Sequence, residues 1–194
     1  TYTVSMATYF NGEYKATGNE VSFAVKALNN TVLPAENRAD KVAFQRDVAE
    51  LSRSMSGARN TISELDNKMR HIRQAIKLAE QPMSTLTAAA NALDQKLKAI
   101  KLQLYGDRNK GTLDMASSPT PARRLGSIRY EQGNSTAAPT ATHRASFAIA
   151  KEEFAPILAA IREVADMDMV KLEEKLEVAK APYTPGRKIK TLKN

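Results

Sequence analysis

The sequence predicts a mainly α protein: an elongated antiparallel three-helix bundle with coiled-coil-like heptad seams, plus an N-terminal β-hairpin remnant. Three observations carry that prediction. Apolar residues recur at alternating spacings of four and three from Phe44 to Ala79, from Leu86 to Leu104 and again from Phe147. Residues 1–28 alternate apolar and polar with a period of two instead. Pro and Gly stand where the periodic stretches stop.

In the first stretch, Tyr2, Val4 and Met6 alternate with Thr3 and Ser5, and Val21, Phe23 and Val25 alternate with Ser22 and Ala24. Each reads as a half-buried strand. Asn11-Gly12 and Thr17-Gly18-Asn19 are turn formers, so a hairpin is expected, with a short extra strand near Glu13–Lys15. Two or three strands cannot form an independent sheet core. Either they pack against the helices, or they are the last strands of a truncated sandwich spanning residues 1–30. The chain starts without Met in mid-strand, which reads as a cut end, so the missing signal peptide does not bear on location.

The region 34–181 reads as the bundle. Phe44, Val48, Leu51, Met55, Ala58, Ile62, Leu65, Met69, Ile72, Ile76 and Ala79 form an unbroken seam on a helix over 35–81, opened by Pro34 and closed by Pro82. At 1.5 Å per residue that helix is about 60–70 Å long. Gly57 inside it marks a close crossing or a bend. Leu86, Ala90, Leu93, Leu97, Ile100 and Leu104 define a second helix over 84–105, with Ser84 as N-cap and Gly106 as stop. The tight turn between the two makes them antiparallel neighbours.

Residues 107–138 hold Gly111, Pro119, Pro121, Gly126 and Gly133 and read as a crossover loop, with one helical turn near Arg124–Glu131 anchored by Leu125, Ile128 and Tyr130. A third helix is expected over 139–180. Phe147, Ala150, Phe154, Ile157 and Ile161 keep the heptad, and the seam then passes through Ala165, Met169, Leu172, Leu176 and Ala179 as a four-residue stutter. Pro156 predicts a kink. Residues 182–194, with two prolines and Arg187, Lys188, Lys190 and Lys193, read as an extended basic tail.

Composition narrows the function classes. The 194 residues, 42% hydrophobic, suffice for one large domain or a domain plus a fragment. No apolar run approaches the roughly 18 residues of a membrane span. Zero Cys excludes a disulfide scaffold, a zinc–thiolate site and a Cys nucleophile, and two His (His71 and His143) are too few for a His-based metal site. The net charge of +8 raises nucleic acid as a partner. However, residues 1–34 are neutral, 35–106 carry twelve basic and eight acidic groups, and 107–194 carry fifteen and eleven. That mixed-sign surface lacks aromatic–basic interleaving and argues against nucleic acid.

Several segments resemble a known family. They are the strand pair around Tyr2–Met6 and Val21–Val25, then Ser135-Thr136-Ala137-Ala138-Pro139-Thr140, Glu152-Glu153-Phe154-Ala155-Pro156, and Ala181-Pro182-Tyr183-Thr184-Pro185-Gly186-Arg187. Together with the helical stretches between them, they resemble the C-terminal region of secreted bacterial BNR-repeat, sortilin-like glycosyl hydrolases. That family commonly carries Trp where Tyr183 stands and an acidic ending where Lys188–Asn194 stand. The resemblance implies an upstream propeller and an immunoglobulin-like sandwich as intramolecular partners, export from the cytoplasm, and carboxylates of any hydrolase activity outside this chain.

Within the chain no catalytic, cofactor or metal residue emerges. Glu152 and Glu153 diverge by about 100° on a helix and cannot flank one sugar. Asp166 and Asp168 lack the turn glycine and further ligands of a calcium loop. The Met residues at helical spacing read as core filler. Anion or partner contacts are assigned to Arg123, Arg124 and Arg129 in the crossover, to His143 and Arg144 in the third helix, and to Arg187 and Lys188 in the tail. The expected role is a non-catalytic structural or interaction domain, with self-association as a further option. The alternative is an independent basic coiled-coil module that binds nucleic acid or another polyanion.

Overall fold

The computed structural model describes residues 1–26, 28, 31–78 and 84–188. The protein is mainly helical, with small two-stranded sheets at the N-terminus. It divides into two compact units, Thr1–Pro34 and Ala35–Asn194.

In the first unit, β2 (Ala7–Phe10) and β3 (Glu13–Ala16) pair antiparallel around Asn11-Gly12, whose φ angles of 50° and 87° are the left-handed values such a hairpin turn requires. Outside them β1 (Tyr2–Val4) pairs antiparallel with β4 (Val21–Phe23), placing Tyr2 opposite Phe23 and Val4 opposite Val21. The Thr17 N–H donates to the Met6 carbonyl at 2.8 Å between the two ladders. Gly18–Glu20 then face Ser5 alone, so two extra residues bulge out of one long hairpin. The alternation predicts half-buried strands, yet every strand residue is exposed. Only cross-strand ring pairs cover the apolar side chains, Tyr2 with Phe23 and Tyr9 with Tyr14.

The second unit holds α1 (Arg38–Lys77), α2 (Ser84–Tyr105), α3 (Arg108–Thr112), α4 (Pro121–Gly133), α5 (Ala141–Glu163) and α6 (Met169–Val178). A π-helical turn, Val164–Asp168, joins α5 to α6. The helix starts at Arg38 and not next to Pro34, because the Asn37 side chain accepts from the Asp40 N–H at 3.1 Å and so caps it. Its buried residues are Phe44, Val48, Leu51, Met55, Ala58, Ile62, Leu65, Met69, Ile72 and Ala75. Those of α2 are Leu86, Ala90, Leu93, Leu97, Ile100 and Leu104. Ala79 and Pro82 lie outside the described residues. Gly57 marks no close crossing, since a Cβ there would meet nothing within 4 Å.

The stretch read as a crossover loop is largely helical. Pro119, Pro121 and the glycines suggested broken structure, but Thr120 caps α4 and Pro121 occupies its first turn, where a missing N–H costs nothing. Leu125 and Ile128 anchor α4 in the core as expected; Tyr130 faces solvent. Near its C-terminal end the Gln132 carbonyl accepts from Gln45 Nε2 at 3.3 Å, and the Ser135 carbonyl accepts from Lys41. The end of α4 therefore lies beside the beginning of α1, and the two run antiparallel.

The phase slip after Ile161 also differs from expectation. The buried stripe passes through Val164, wholly buried, with Ala165 partly buried against the core beside it, and resumes at Met169, Leu172 and Leu176. The interval from Val164 to Met169 is one residue longer than a heptad step allows. The π turn absorbs that residue locally. Upstream, α5 continues across Pro156.

The tail packs on the helical unit. Ala181, Thr184 and Arg187 are buried, the Arg187 N–H closes a turn onto the Thr184 carbonyl at 3.1 Å, and Gly186 supplies φ of 81°. The expected extended tail is thus a folded clasp as far as Lys188. Lys190 and Lys193 lie outside the described residues.

Leu97 has no exposed surface and sits mid-way along α2. Leu97→Ala is expected to lower unfolding stability by about 2–5 kcal/mol, through lost burial and an unfilled cavity. Urea denaturation followed by circular dichroism measures it. Leu102→Ala, on the exposed side of α2, should change stability by less than about 0.5 kcal/mol.

Candidate functional site

Charged side chains at the edges of the buried stripe meet across helices. Lys68 pairs with Glu173 at 3.2 Å, Lys101 with Asp66 at 2.9 Å, and Arg73 with Asp94. Lys96 holds Glu163 and Asp168 at 2.7 Å each, which ties α2 to both ends of the π turn. Burial of Asp94 opposes its ionisation, but hydrogen bonds from Arg73 and Lys98 and their positive charges outweigh it and hold the carboxyl below 3.8. Hydrogen bonds from Lys96 to Asp168 and Glu163 raise its ammonium above 10.5. These are structural pairs, distributed along the helices and not converging on a pocket.

The residues assigned to anion or partner contact have divergent fates. Arg124 lies 3.7 Å from Glu153. Arg144 pairs with Asp40 at 2.6 Å and lies 5.2 Å above the Phe44 ring, which itself meets Phe147 edge-on. Arg187 is buried against Glu177 at 3.1 Å, donates to the Ala181 and Pro182 carbonyls, and stacks 4.3 Å over Tyr183. Each of these three guanidiniums thus faces a carboxylate of the same chain.

His143 is equally committed. It is the third residue of α5, and the Thr140 hydroxyl accepts from its N–H while the Thr140 N–H donates to Nδ1 at 3.1 Å. The pair forms a capping box in which His replaces the usual Glu or Gln. Gln132 Nε2 lies 3.0 Å from the same Nδ1, and Glu131 lies 2.6 Å from Nε2. A backbone N–H can only donate, so Nδ1 is the acceptor and Nε2 carries the proton toward Glu131. The Thr-x-x-His spacing signals this cap in the sequence.

Arg123, Arg129 and Lys188 have no ion-pair partner among the described residues. Arg123 and Lys188 are exposed. Arg129 instead lines a cleft of about 130 Å³ where α1, the end of α2 and α4 meet. Its walls are Ser52, Met55, Ser56 and Arg59 from α1, Leu104 and Tyr105 from α2, and Ala122, Leu125, Gly126 and Arg129 from α4. Gly106, at φ of 82°, ends α2 beside Thr120 and brings its last turn against the start of α4. Arg59 and Tyr105 are absent from the sequence reading because α1 and α4 are neighbours only in the fold. A second depression of about 320 Å³ lies between Gly57 on α1 and Ala165 beyond α5. Among the described residues no three His, Asp or Glu side chains gather to hold a metal ion. No helix among them is long and apolar enough to cross a membrane.

Comparison with known proteins gives no matching family model, no matching curated protein and no matching solved structure.

Asp94 is more acidic folded than unfolded, so its contribution to stability is full above about pH 4 and vanishes as pH falls through its folded value. Asp94→Asn should flatten that acid limb in urea midpoints measured from about pH 2 to 6. Lys96 has the opposite sign: its contribution is full below 10.5 and declines above it. His143→Ala should cost about 1–2 kcal/mol in thermal unfolding, and His143→Gln should recover the share due to the cap.

Proposed function

We propose that the chain is a non-catalytic structural and interaction domain of a larger exported protein, lying C-terminal to a propeller of the BNR-repeat, glycosyl-hydrolase-like type. The observation that carries this reading is the first unit. Its paired Tyr2–Phe23 and Val4–Val21 positions put apolar side chains on a sheet face with no cover. Such a face is what the last strands of an immunoglobulin-like sandwich present when the facing sheet is elsewhere.

The helical unit fits a spacer or docking element. We read it as an antiparallel three-helix bundle with coiled-coil-like seams formed by α1, α2 and the α5–α6 helix. The support is the buried stripe at spacings of four and three on each, with ion pairs along its edges. Heptad seams bury themselves and present solvated faces, which suits a rod more than a substrate pocket. The rival reading, a basic module for nucleic acid or another polyanion, has less support. Arg73, Lys96, Arg124, Arg144 and Arg187 are spent on carboxylates of the same chain.

An immunoblot of fractionated native cells, with an antibody against this chain, tests the proposal. The expected result is a band on the order of 100 kDa in the envelope or secreted fraction, because each added domain contributes about 100–200 residues. A cytosolic band at 21.3 kDa would overturn it and make salt-dependent binding to duplex DNA the next measurement.

A further inference from the structure

We propose that the cleft between α1, the end of α2 and α4 is a binding site for a single phosphate or sulfate group, gripped by Arg59 and Arg129. The chemistry of its lining points there. Arg59, Arg129, Ser56 and Tyr105 all bring hydrogen-bond donors, and none of them has an acceptor or carboxylate partner among the described residues. Ser52 is already used, its hydroxyl donating to the Val48 carbonyl at 2.7 Å. No acidic residue lines the cleft. Two guanidiniums therefore share one small depression with nothing of opposite charge between them.

These groups are exposed and stand around the mouth of the cleft. Long side chains on a helix lean toward its N-terminus. Because α1 and α4 are antiparallel, this tendency inclines Arg59 toward the level of Ser52 and Arg129 toward that of Ala122, so both can reach one group bound in the cleft. The equivalent spacings 52, 55, 56, 59 on α1 and 122, 125, 126, 129 on α4 place one face of each helix on the cleft. Buried Met55, Leu104 and Leu125 form an apolar floor, which strengthens charge-assisted hydrogen bonds above it. Desolvation of Tyr105 raises its hydroxyl above 10 despite the opposing pull of Arg59, so it stays a donor at neutral pH. Planar guanidinium forks suit the paired oxygens of a tetrahedral oxyanion. A cleft of about 130 Å³ admits one such group and leaves the remainder of a larger ligand in solvent.

The test is a calorimetric and NMR titration of the full chain with inorganic phosphate, sulfate and glucose 6-phosphate, at constant ionic strength set with chloride. Saturable binding in the millimolar range or tighter is expected, with Arg59→Gln and Arg129→Gln each weakening it about tenfold. Arg46→Gln, exposed on α1 but outside the cleft, should leave it unchanged. Gly126→Leu projects a side chain into the opening and should abolish binding, while a helical glycine replaced by leucine keeps or raises the melting temperature. Tighter binding of the sugar phosphate than of inorganic phosphate would assign the group to a larger ligand; equal affinity would assign it to the free ion. Absence of saturable binding up to about 50 mM, or equal losses in Arg46→Gln and Arg129→Gln, would overturn the proposal.

Discussion

The apolar stripe of α1 is the constraint on which the helical unit depends. It runs from Phe44 to Ala75 at spacings of four and three, and every other long helix must keep in step with it to bury its own apolar side chains. Helix α2 does so from Leu86 to Leu104 without interruption. Helix α5 does so as far as Val164, after which one extra residue would turn Met169, Leu172 and Leu176 away from the core. The π turn takes up that residue, and Lys96 fastens both of its ends through Glu163 and Asp168. Helix α4 fills the remaining side near the start of α1 with Leu125 and Ile128.

Polar side chains follow the same geometry. Positions next to the stripe on neighbouring helices lie within reach of each other, and there Lys or Arg on one helix meets Asp or Glu on another. Exposed pairs of this kind contribute little each, about 0–1 kcal/mol, so their value lies more in fixing which helices pair and in what register. Arg187 differs because it is buried. Two carbonyls, Glu177 and the Tyr183 ring engage it, its buried Nε has no hydrogen-bond partner among the described residues, and removal of those partners would leave a charge without water.

Much of this was legible in residue spacing, and the failures have physical causes. The buried positions of α1 and α2 follow from periodicity because a long helix has only one way to hide a four–three stripe. The region 107–138 was misread because proline both ends helices and begins them; only the Thr120 cap distinguishes Pro121 as a first-turn residue. After Ile161, Val164 and Ala165 are both apolar, and spacing alone cannot say which one faces inward. In residues 1–28 a period of two announces an apolar face but not what covers it. The tail was read as extended because its prolines exclude a helix, whereas its clasp depends on Arg187 finding partners. Of the cleft, Arg129 was visible as a basic residue and Arg59 was one of many on α1. Their meeting depends on the antiparallel packing of α1 and α4.

The π turn makes chain length a strict parameter in one place and a loose one elsewhere. Deleting one residue from 164–168 would restore an ordinary α-helix with Met169, Leu172 and Leu176 still on the buried stripe, whereas deleting two would rotate everything beyond by about 100°. Leu172 and Leu176 would then swing toward solvent, and the clasp built on Arg187 would leave its seat beside Lys68. By contrast, residues between Leu113 and Pro119 are exposed and belong to no helix, so insertions there meet no such penalty. Related chains should therefore vary freely in length before α4 and hardly at all between Ile161 and Met169. Any that lack the extra residue should also lack the cation at position 96 that bridges it.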